Sequence, residues 1–366
     1  MAGKLVIAAV CARPYVAMAK AAGYDVLALD IFADSDTEQL ATQVFRLPYA
    51  DGGFDPAGFE AALATIAARH EVLGFVYGSG FEANPQLLET AAHYFPVVGN
   101  SASVVKQAKA VPDFFRTLDA LGIPHPPVSM EVPALLAGWL HKQAGGSGGT
   151  HIRRLEAGGR KNAGSYYQQE LAGIPVSLLF AAHAGDAHVI GYNRQSVAAH
   201  GDLPFRYGGL VTNVALPDTC RKILYVAAQH LTRVLKLRGL NSIDAMLTPT
   251  GDTYILELNP RLTASAGLYH SIPGLMQLHL GEGASALDIG RQASAQAVVY
   301  AEYDAIVPEG LEWPEWAADI PVAGSHIAAG DPLCTVYAQA DGAEAAWQLA
   351  HQRLQVMTAM QPLSGR

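Results

Sequence analysis

The tightest constraint in this sequence is the stretch "NSIDAMLTPTGDTYILELNPR", residues 241–261. Two apolar runs flank a Pro-Thr-Gly-Asp turn, which reads as a β-hairpin. In the second run Glu257, Asn259 and Arg261 fall at alternate positions, and alternate residues of a strand share a face. The rest of that strand reads as buried. Acids on such a strand cost several kcal/mol unless a cation compensates them. Asp244, on the first strand, can face Glu257 across the ladder. Two carboxylates and an amide oxygen are hard ligands, and they suit Mg²⁺ sharing its shell with water and phosphate oxygens. The bland alternative is that both acids are half-exposed strand residues paired with Arg or Lys.

The remainder of the chain narrows the setting. At 366 residues it exceeds one ordinary core, since domains run about 100–200 residues. Half the residues are hydrophobic and only 16% are charged, a globular composition. The net charge is -9 and no basic run occurs, so no nucleic-acid partner is expected. Cys11, Cys220 and Cys334 lie far apart and form neither a metal spacing nor a disulfide framework, which suits a reducing compartment. The opening "KLVIAAVCA" resembles a signal core, but Val10 precedes Cys11 and a helical pattern continues, so a first buried strand is the reading. No apolar run approaches the roughly 20 residues of a membrane span. A cytoplasmic protein with no membrane partner is expected.

Strand 4–10, a helix over 14–22 stopped by Gly23, and strand "YDVLALDIF" form a βαβ unit on a parallel sheet. "LGFVYGSGFE" and "FPVVGN" add strands, so residues 1–100 read as an open α/β domain. It carries no G-x-G-x-x-G and no G-x-x-x-x-G-K-[ST], which disfavours NAD and a P-loop. Arg13 and the Ser79–Glu82 turn sit at carboxyl ends of strands, where such sheets place sites, or are ordinary loop residues. "KQAKAVPDFFRTLDALG" predicts one helix ending at Gly122. "SLLFAAHAGDAHVIGYNRQ" predicts a hairpin at Ala-Gly-Asp. Residues 219–238 predict a helix with Ile223, Val226, Ala227, Leu231, Val234 and Leu235 on its inner face. Strand-like pieces and a closing helix over 342–358 end the chain.

Two further stretches carry chemistry. In "HKQAGGSGG" Lys142 ends an apolar strand and Gly145, Gly146, Ser147, Gly148 and Gly149 follow. Glycines let backbone N–H groups approach an anion, and the lysine adds a point charge. Alone, such a loop reads as readily as a flexible surface hairpin. In "YYQQELAG" the polar trio Gln168, Gln169 and Glu170 interrupts two apolar stretches; alone it is a polar strand end.

In this order the pieces resemble the ATP-grasp superfamily over roughly residues 1–290. The spacing of 13 positions from Asp244 to the Glu of E-x-N, with a glycine in the turn between, is its most specific motif. "ELNPR" followed by "LTASAG" is similar to the carbamoyl-phosphate-synthetase-like branch. "GYNRQ", "GSGFE" and "DIFADSDT" are similar to a smaller branch with tyramine–glutamate ligases and methanopterin-pathway proteins. The resemblance implies an ATP-grasp fold of α/β and α+β parts: an N-terminal pre-ATP-grasp domain (1–100), nucleotide-binding domains (101–290, lid about 125–170) and a small C-terminal α+β segment (291–366).

It implies MgATP as cofactor, with one or two Mg²⁺ for which Mn²⁺ can substitute. Glu257 and Asn259 would hold the ions, with Asp244 on the first. Lys142, Ser147 and Gly148 would contact the phosphates, and Gln169, Glu170 and Leu171 would line the adenine. Arg261 and Arg206 would be the catalytic cations. A second family lysine matches Val111, so Lys109, two residues earlier, is the candidate and Lys106 the fallback. Pro175 stands where the family often has a ribose-binding acid. The implied activity is an ADP-forming carboxylate–amine ligase acting through an acyl phosphate, in one-carbon cofactor (methanopterin- or methanofuran-type) biosynthesis. Its partners would be a small carboxylate and an amine, and the resemblance allows a homodimer. The alternatives are a carboxylate or carbamate kinase on the same fold and a non-catalytic ATP sensor.

Overall fold

The computed structural model describes residues 3–50, 52–156, 162–282, 287, 290 and 292–360. The apolar start forms strand Lys4–Ala9, followed by helix Arg13–Ala21 and strand Asp25–Asp30. With Gln43–Arg46 and Gly74–Tyr77 they build a four-stranded parallel sheet in which Lys4–Ala9 lies between Asp25–Asp30 and Gly74–Tyr77. Leu5, Val6, Ile7, Ala8 and Ala9 are fully buried, as expected of a strand covered on both faces. "FPVVGN" forms no strand; it adds one parallel bridge, Val97 to Phe75.

The second structural unit is an eight-stranded antiparallel sheet. Its order runs Thr253–Asn259, Gly239–Leu247, Ile174–His183, Asp186–Val197, Tyr207–Val211, Gln292–Tyr300, Pro332–Asp341, Ala317–Ala318. The C-terminal strands therefore extend the sheet that carries the hairpin of residues 241–261. Residue 291, where the expected C-terminal segment begins, lies outside the described residues. The closing helix Ala343–Met360 packs on Gln292–Tyr300 and Pro332–Asp341 through Ala346 and Ala350.

Helix Asp218–Leu235 covers the other end of the sheet. Leu224 and Leu231 pack with Ile243, Ile255 and Leu258, each burial worth about 1.5–3 kcal/mol. The buried stripe is Cys220, Leu224, Ala227, Ala228, Leu231 and Leu235. Val234, expected inside, is 51% exposed, because the helix is rotated toward Leu224 and Ala228. A smaller four-stranded sheet runs in the order Val128–Ser129, Ser165–Gln169, Trp139–Gln143, Ile152–Arg154, within the stretch expected as a lid.

The single helix expected up to Gly122 is two, Ala102–Lys109 and Val111–Ala120, broken at Ala110 (ψ 90°). Pro112 supplies the reason: it lacks an N–H and suits only the first turn of a helix. The break leaves Lys109 at the end of the first helix, over the hairpin.

Candidate active site

Asp244 and Glu257 are direct cross-strand partners, and Ser242 pairs with Asn259. The register shifts between Asp244 and Ala245, so Ala245 pairs with Ile255 and Leu256 is left over. This bulge changes the parity of the strand. Ile255 and Leu258 both enter the core beneath helix Asp218–Leu235, while Glu257 and Asn259 both face the cleft. Strict alternation, as read from the sequence, would have put Ile255 on the same face as Glu257.

The acids and the amide meet. Asn259 Nδ2 donates to Asp244 Oδ2 at 3.0 Å and to Glu257 Oε1 at 3.3 Å. Lys109 Nζ donates to Glu257 Oε2 at 3.1 Å and to Asn259 Oδ1 at 3.0 Å. Lys106, one turn earlier, is exposed. Gln195 Nε2 donates to Asp244 Oδ1 at 3.0 Å. Burial, and next the Glu257 charge, push the Asp244 carboxyl up to about 7. Burial opposes ionisation of Glu257 too, but Lys109, Lys142 and His151 outweigh it and hold that carboxyl below its usual range. One acid reluctant to ionise beside one held ionised marks a pair short of positive charge. Oxygen donors from Asp244, Glu257 and Asn259, with an ammonium already drawn among them, fit a hard cation such as Mg²⁺.

Lys142 is 7% exposed and donates to Gln168 Oε1 at 2.6 Å. Burial lowers its pKa to about 8, more than the Glu257 charge restores. Gln168 Nε2 is buried with no partner. A cleft beside Lys109 and Glu257 is walled by Phe115, Gln143, Gly146 and His151. His151 Nδ1 is another buried atom with no partner, and burial lowers that ring's pKa. Gln195 and His151 were missed by sequence reasoning, and Gln168, read there as one of a polar trio, was not matched to Lys142. Strand parity could have found Gln168, because Tyr166 pairs with Lys142 and position 168 shares its face.

The glycine loop is seated by its lack of side chains. A Cβ at Gly145 (φ +77°) would lie 2.7 Å from the Glu82 carbonyl oxygen, and one at Gly149 (φ +73°) 1.8 Å from that of Phe205. Tyr207 N donates to Gly148 O at 2.9 Å, and Ser147 is half-buried between these contacts. Glu82 also takes Arg261. Both are buried, Arg261 Nε bonds Glu82 Oε1, and Gly80 N and Phe81 N donate to Glu82 Oε2 at 2.9 and 3.0 Å.

Other expected residues stand apart. Arg206 donates to the carbonyls of Ala198 and Gly330 and lies 3.6 Å from the Tyr300 ring centroid, so it is drawn toward the C-terminal strands rather than to the Asp244–Glu257 pair. The Glu170 carboxylate is gripped by Arg154, with Nη2 at 2.8 Å. The Gln169 and Glu170 N–H groups donate to Pro127 and Gly138 carbonyls. Gln169 ends strand Ser165–Gln169, Glu170 and Leu171 follow it, and none of the three lines the cleft. Pro175 lies in strand Ile174–His183 opposite Met246.

A family model described as an ATP-grasp domain matches residues 113–265. The chain has the ATP-grasp fold. No curated protein matches it by sequence. Among solved structures it is similar to an L-amino acid ligase from Bacillus licheniformis (TM-score 0.73, 13% identity, 97% of each chain). It is also similar to the biotin carboxylase domain of Hydrogenobacter thermophilus 2-oxoglutarate carboxylase, solved with MgADP, ADP and bicarbonate (TM-score 0.72, 12% identity, 96% of this chain and 88% of that one). A third is N5-carboxyaminoimidazole synthetase from Staphylococcus aureus with ADP (TM-score 0.68, 12% identity, 97% of each chain). At these identities the likeness establishes the fold alone. No helix among the described residues is long and apolar enough to cross a membrane.

Proposed function

We propose that this chain is an ATP-dependent ligase that activates a carboxylate as an acyl phosphate and joins it to an amine, releasing ADP and phosphate. The observation that carries the reading is the Lys109 ammonium lodged between Glu257 and Asn259, beside Asp244: a cation-seeking cluster on the expected ligands. Asp244, Glu257 and Asn259 would hold one or two Mg²⁺. When bound, that metal supplies positive charge to the β- and γ-phosphate oxygens.

The chain's own groups do the rest. Lys109 and Lys142 meet phosphate oxygens, and the glycine loop closes over them and excludes water. Arg261, fixed by Glu82, offers its guanidinium to the phosphoryl group in transfer. Such chemistry needs positioning and charge rather than a protein nucleophile, and the cluster holds no Ser–His or Cys–His pair. The L-amino acid ligase among the similar structures supports amide formation. The bicarbonate bound to the Hydrogenobacter domain favours carboxyl transfer as a second reading.

Phosphate and ADP release with MgATP, measured over carboxylates with and without amines, tests this. On the resemblance, glutamate with aromatic amines and pterin-type precursors heads the panel, and bicarbonate is included. Phosphate release that needs both a carboxylate and an amine is expected. A phosphorylated product without amine would make the chain a kinase, bicarbonate-dependent turnover a carboxylase, and tight ATP binding with no turnover a sensor.

A further inference from the structure

The far end of the glycine loop rests on the backbone of residues 205–207. Gly149 comes so close to Phe205 that a Cβ there would lie 1.8 Å from the Phe205 carbonyl oxygen. Tyr207 N donates to Gly148 O at 2.9 Å. Residues 198–206 connect the paired strands Asp186–Val197 and Tyr207–Val211, so whatever fixes the end of this connection also fixes the loop. A glycine-rich segment loses more conformational freedom on ordering than other chain does, so an outside hold is what stabilises its closed form.

Arg206 stands between the two contacts, and its side chain runs from them to the C-terminal strands. It is buried. Its Nε donates to Ala198 O at 2.9 Å, and Ala198 N donates to Arg206 O at 2.8 Å, so the connection is closed in both directions. Its Nη1 donates to Gly330 O at 2.8 Å. The guanidinium carbon lies 3.6 Å from the Tyr300 ring centroid, a cation–π contact. Tyr300 ties down the same seat a second time, since its hydroxyl donates to Tyr207 O at 2.6 Å. The receiving end is itself fixed: Gly330 N donates to Ala301 O at 2.8 Å, and Ala301 N to Asp331 O at 2.9 Å.

A guanidinium suits this post and an ammonium does not. The planar fork spans two carbonyls at once and stacks on a ring, whereas lysine brings a point charge on a flexible stem. We infer that Arg206 is a positioning residue for the nucleotide: it clamps the backbone of residues 205–207 to Gly330 and Tyr300 and so holds the glycine loop closed. The C-terminal strands Gln292–Tyr300 and Pro332–Asp341 thereby act on the nucleotide cleft, although none of their residues lines its wall. The nucleotide part rests on the reading that the loop covers phosphates; the clamp is geometry and is tested without any ligand.

Hydrogen exchange of the nucleotide-free protein reads the clamp, because the Tyr207 N–H is protected while Gly148 O accepts it. Arg206→Met and Arg206→Lys should both speed exchange at Tyr207 and over residues 146–150 about tenfold, while strand Ile174–His183 keeps its rates. Tyr300→Phe keeps the ring and removes one hydroxyl, and should have the same effect to a smaller degree. Calorimetry with MgATP reads the consequence: the apparent Kd rises as the closed fraction falls, about tenfold for either Arg206 variant. Adding Gly149→Ala to Arg206→Met should raise the Kd little further, because both free the same seat. Loop exchange at the natural rate in the Arg206 variants overturns the inference. So does exchange raised equally through strand Ile174–His183, which marks a general folding role, and so does an Arg206→Lys protein with natural exchange and affinity, since charge alone would then suffice. Natural ATP affinity in both Arg206 variants beside a Kd raised by Gly149→Ala sinks the positioning role and leaves the nucleotide reading standing. Faster loop exchange in the Arg206 variants, with ATP binding indifferent to Gly149→Ala and Lys142→Ala, keeps the clamp and sinks the nucleotide reading.

Discussion

Glu82→Gln tests how Arg261, the proposed phosphoryl-binding cation, is held. The substitution keeps size and shape but removes one charge from a pair in which Glu82 is 5% and Arg261 9% exposed. The carboxylate uses both oxygens: Oε1 takes Arg261 Nε, and Oε2 takes Gly80 N and Phe81 N. A glutamine has one acceptor oxygen. Its NH₂ must therefore point either at a guanidinium or at two backbone N–H groups, and each arrangement sets donor against donor. Hydrogen bonds to charged groups contribute about 1.5–3 kcal/mol, and stripping one partner from a buried ion pair costs about 3–5 kcal/mol. A loss of about 3–5 kcal/mol is expected, a large share of the about 5–15 kcal/mol of a typical domain.

The assay is urea unfolding at neutral pH, alongside phosphate release. Burial works against ionised Glu82, yet Arg261 and Lys109 prevail and hold its carboxyl below the ordinary value of 4.5. A depressed folded-state pKa stabilises above the unfolded value and loses that contribution as pH falls through the folded one. The gap between the natural protein and Glu82→Gln should thus be full above pH 4.5 and shrink below it. The double variant Glu82→Gln with Arg261→Met should recover part of the stability and none of the activity, since the glutamine oxygen can then accept the Gly80 and Phe81 N–H groups with no guanidinium set against its NH₂. A Glu82→Gln protein within about 1 kcal/mol of the natural one, or equally destabilised at every pH, refutes the reasoning.

Glu257→Gln removes charge from the proposed metal cluster and should lower turnover about a hundredfold or more while the unfolding midpoint holds; near-natural turnover counts against the metal assignment. Lys142, lowered to about 8 by burial, should bind nucleotide as the ammonium, so the Kd for ATP rises as pH climbs through 8, and calorimetry of Lys142→Ala should show weaker binding with that slope gone. Gly149→Ala must part the loop from Phe205, where its Cβ would lie 1.8 Å from a carbonyl oxygen, and should raise the KM for ATP severalfold; Gly148→Ala, with φ +65° but no atom within 4 Å, should cost only about 1 kcal/mol of stability.

The hairpin was legible because its chemistry is local. The acids, the amide and the turn lie within one short stretch, and a two-residue period plus an antiparallel turn suffices to bring Asp244 onto Glu257. The bulge at Leu256 was not, since one extra residue leaves no mark on composition and only packing under helix Asp218–Leu235 selects it. Lys109 was placed by resemblance; its aim depends on the break at Ala110, for which Pro112 was a visible but unread signal. Glu82 and Arg261 meet across 179 positions, and the Ser79–Glu82 turn offered no hint of that partner. Arg206 shows the converse: its guanidinium answers to Gly330, in a turn, and Tyr300, on a strand, both in what a local reading had set as another part of the chain.

The charges of the cleft form one connected sequence, and its order suggests how the fold times its chemistry. Lys109 bonds Glu257 and Asn259, and its charge also reaches Glu82, which in turn anchors Arg261. The Glu82 backbone is also the floor on which Gly145 rests. One turn at the end of a buried strand therefore sets the height of the glycine loop and the direction of the arginine together. Lys109 occupies oxygens of Glu257 and Asn259 that, on the proposed reading, would hold the metal, so its ammonium would give them up and turn to a phosphate oxygen. Exchange of one cation for another would cost less than emptying the cluster, because Glu257 would keep a positive partner. On the proposed reading, a cleft built this way would favour the metal–nucleotide complex over either component alone, which is what an enzyme relying on charge and position rather than on a covalent nucleophile requires.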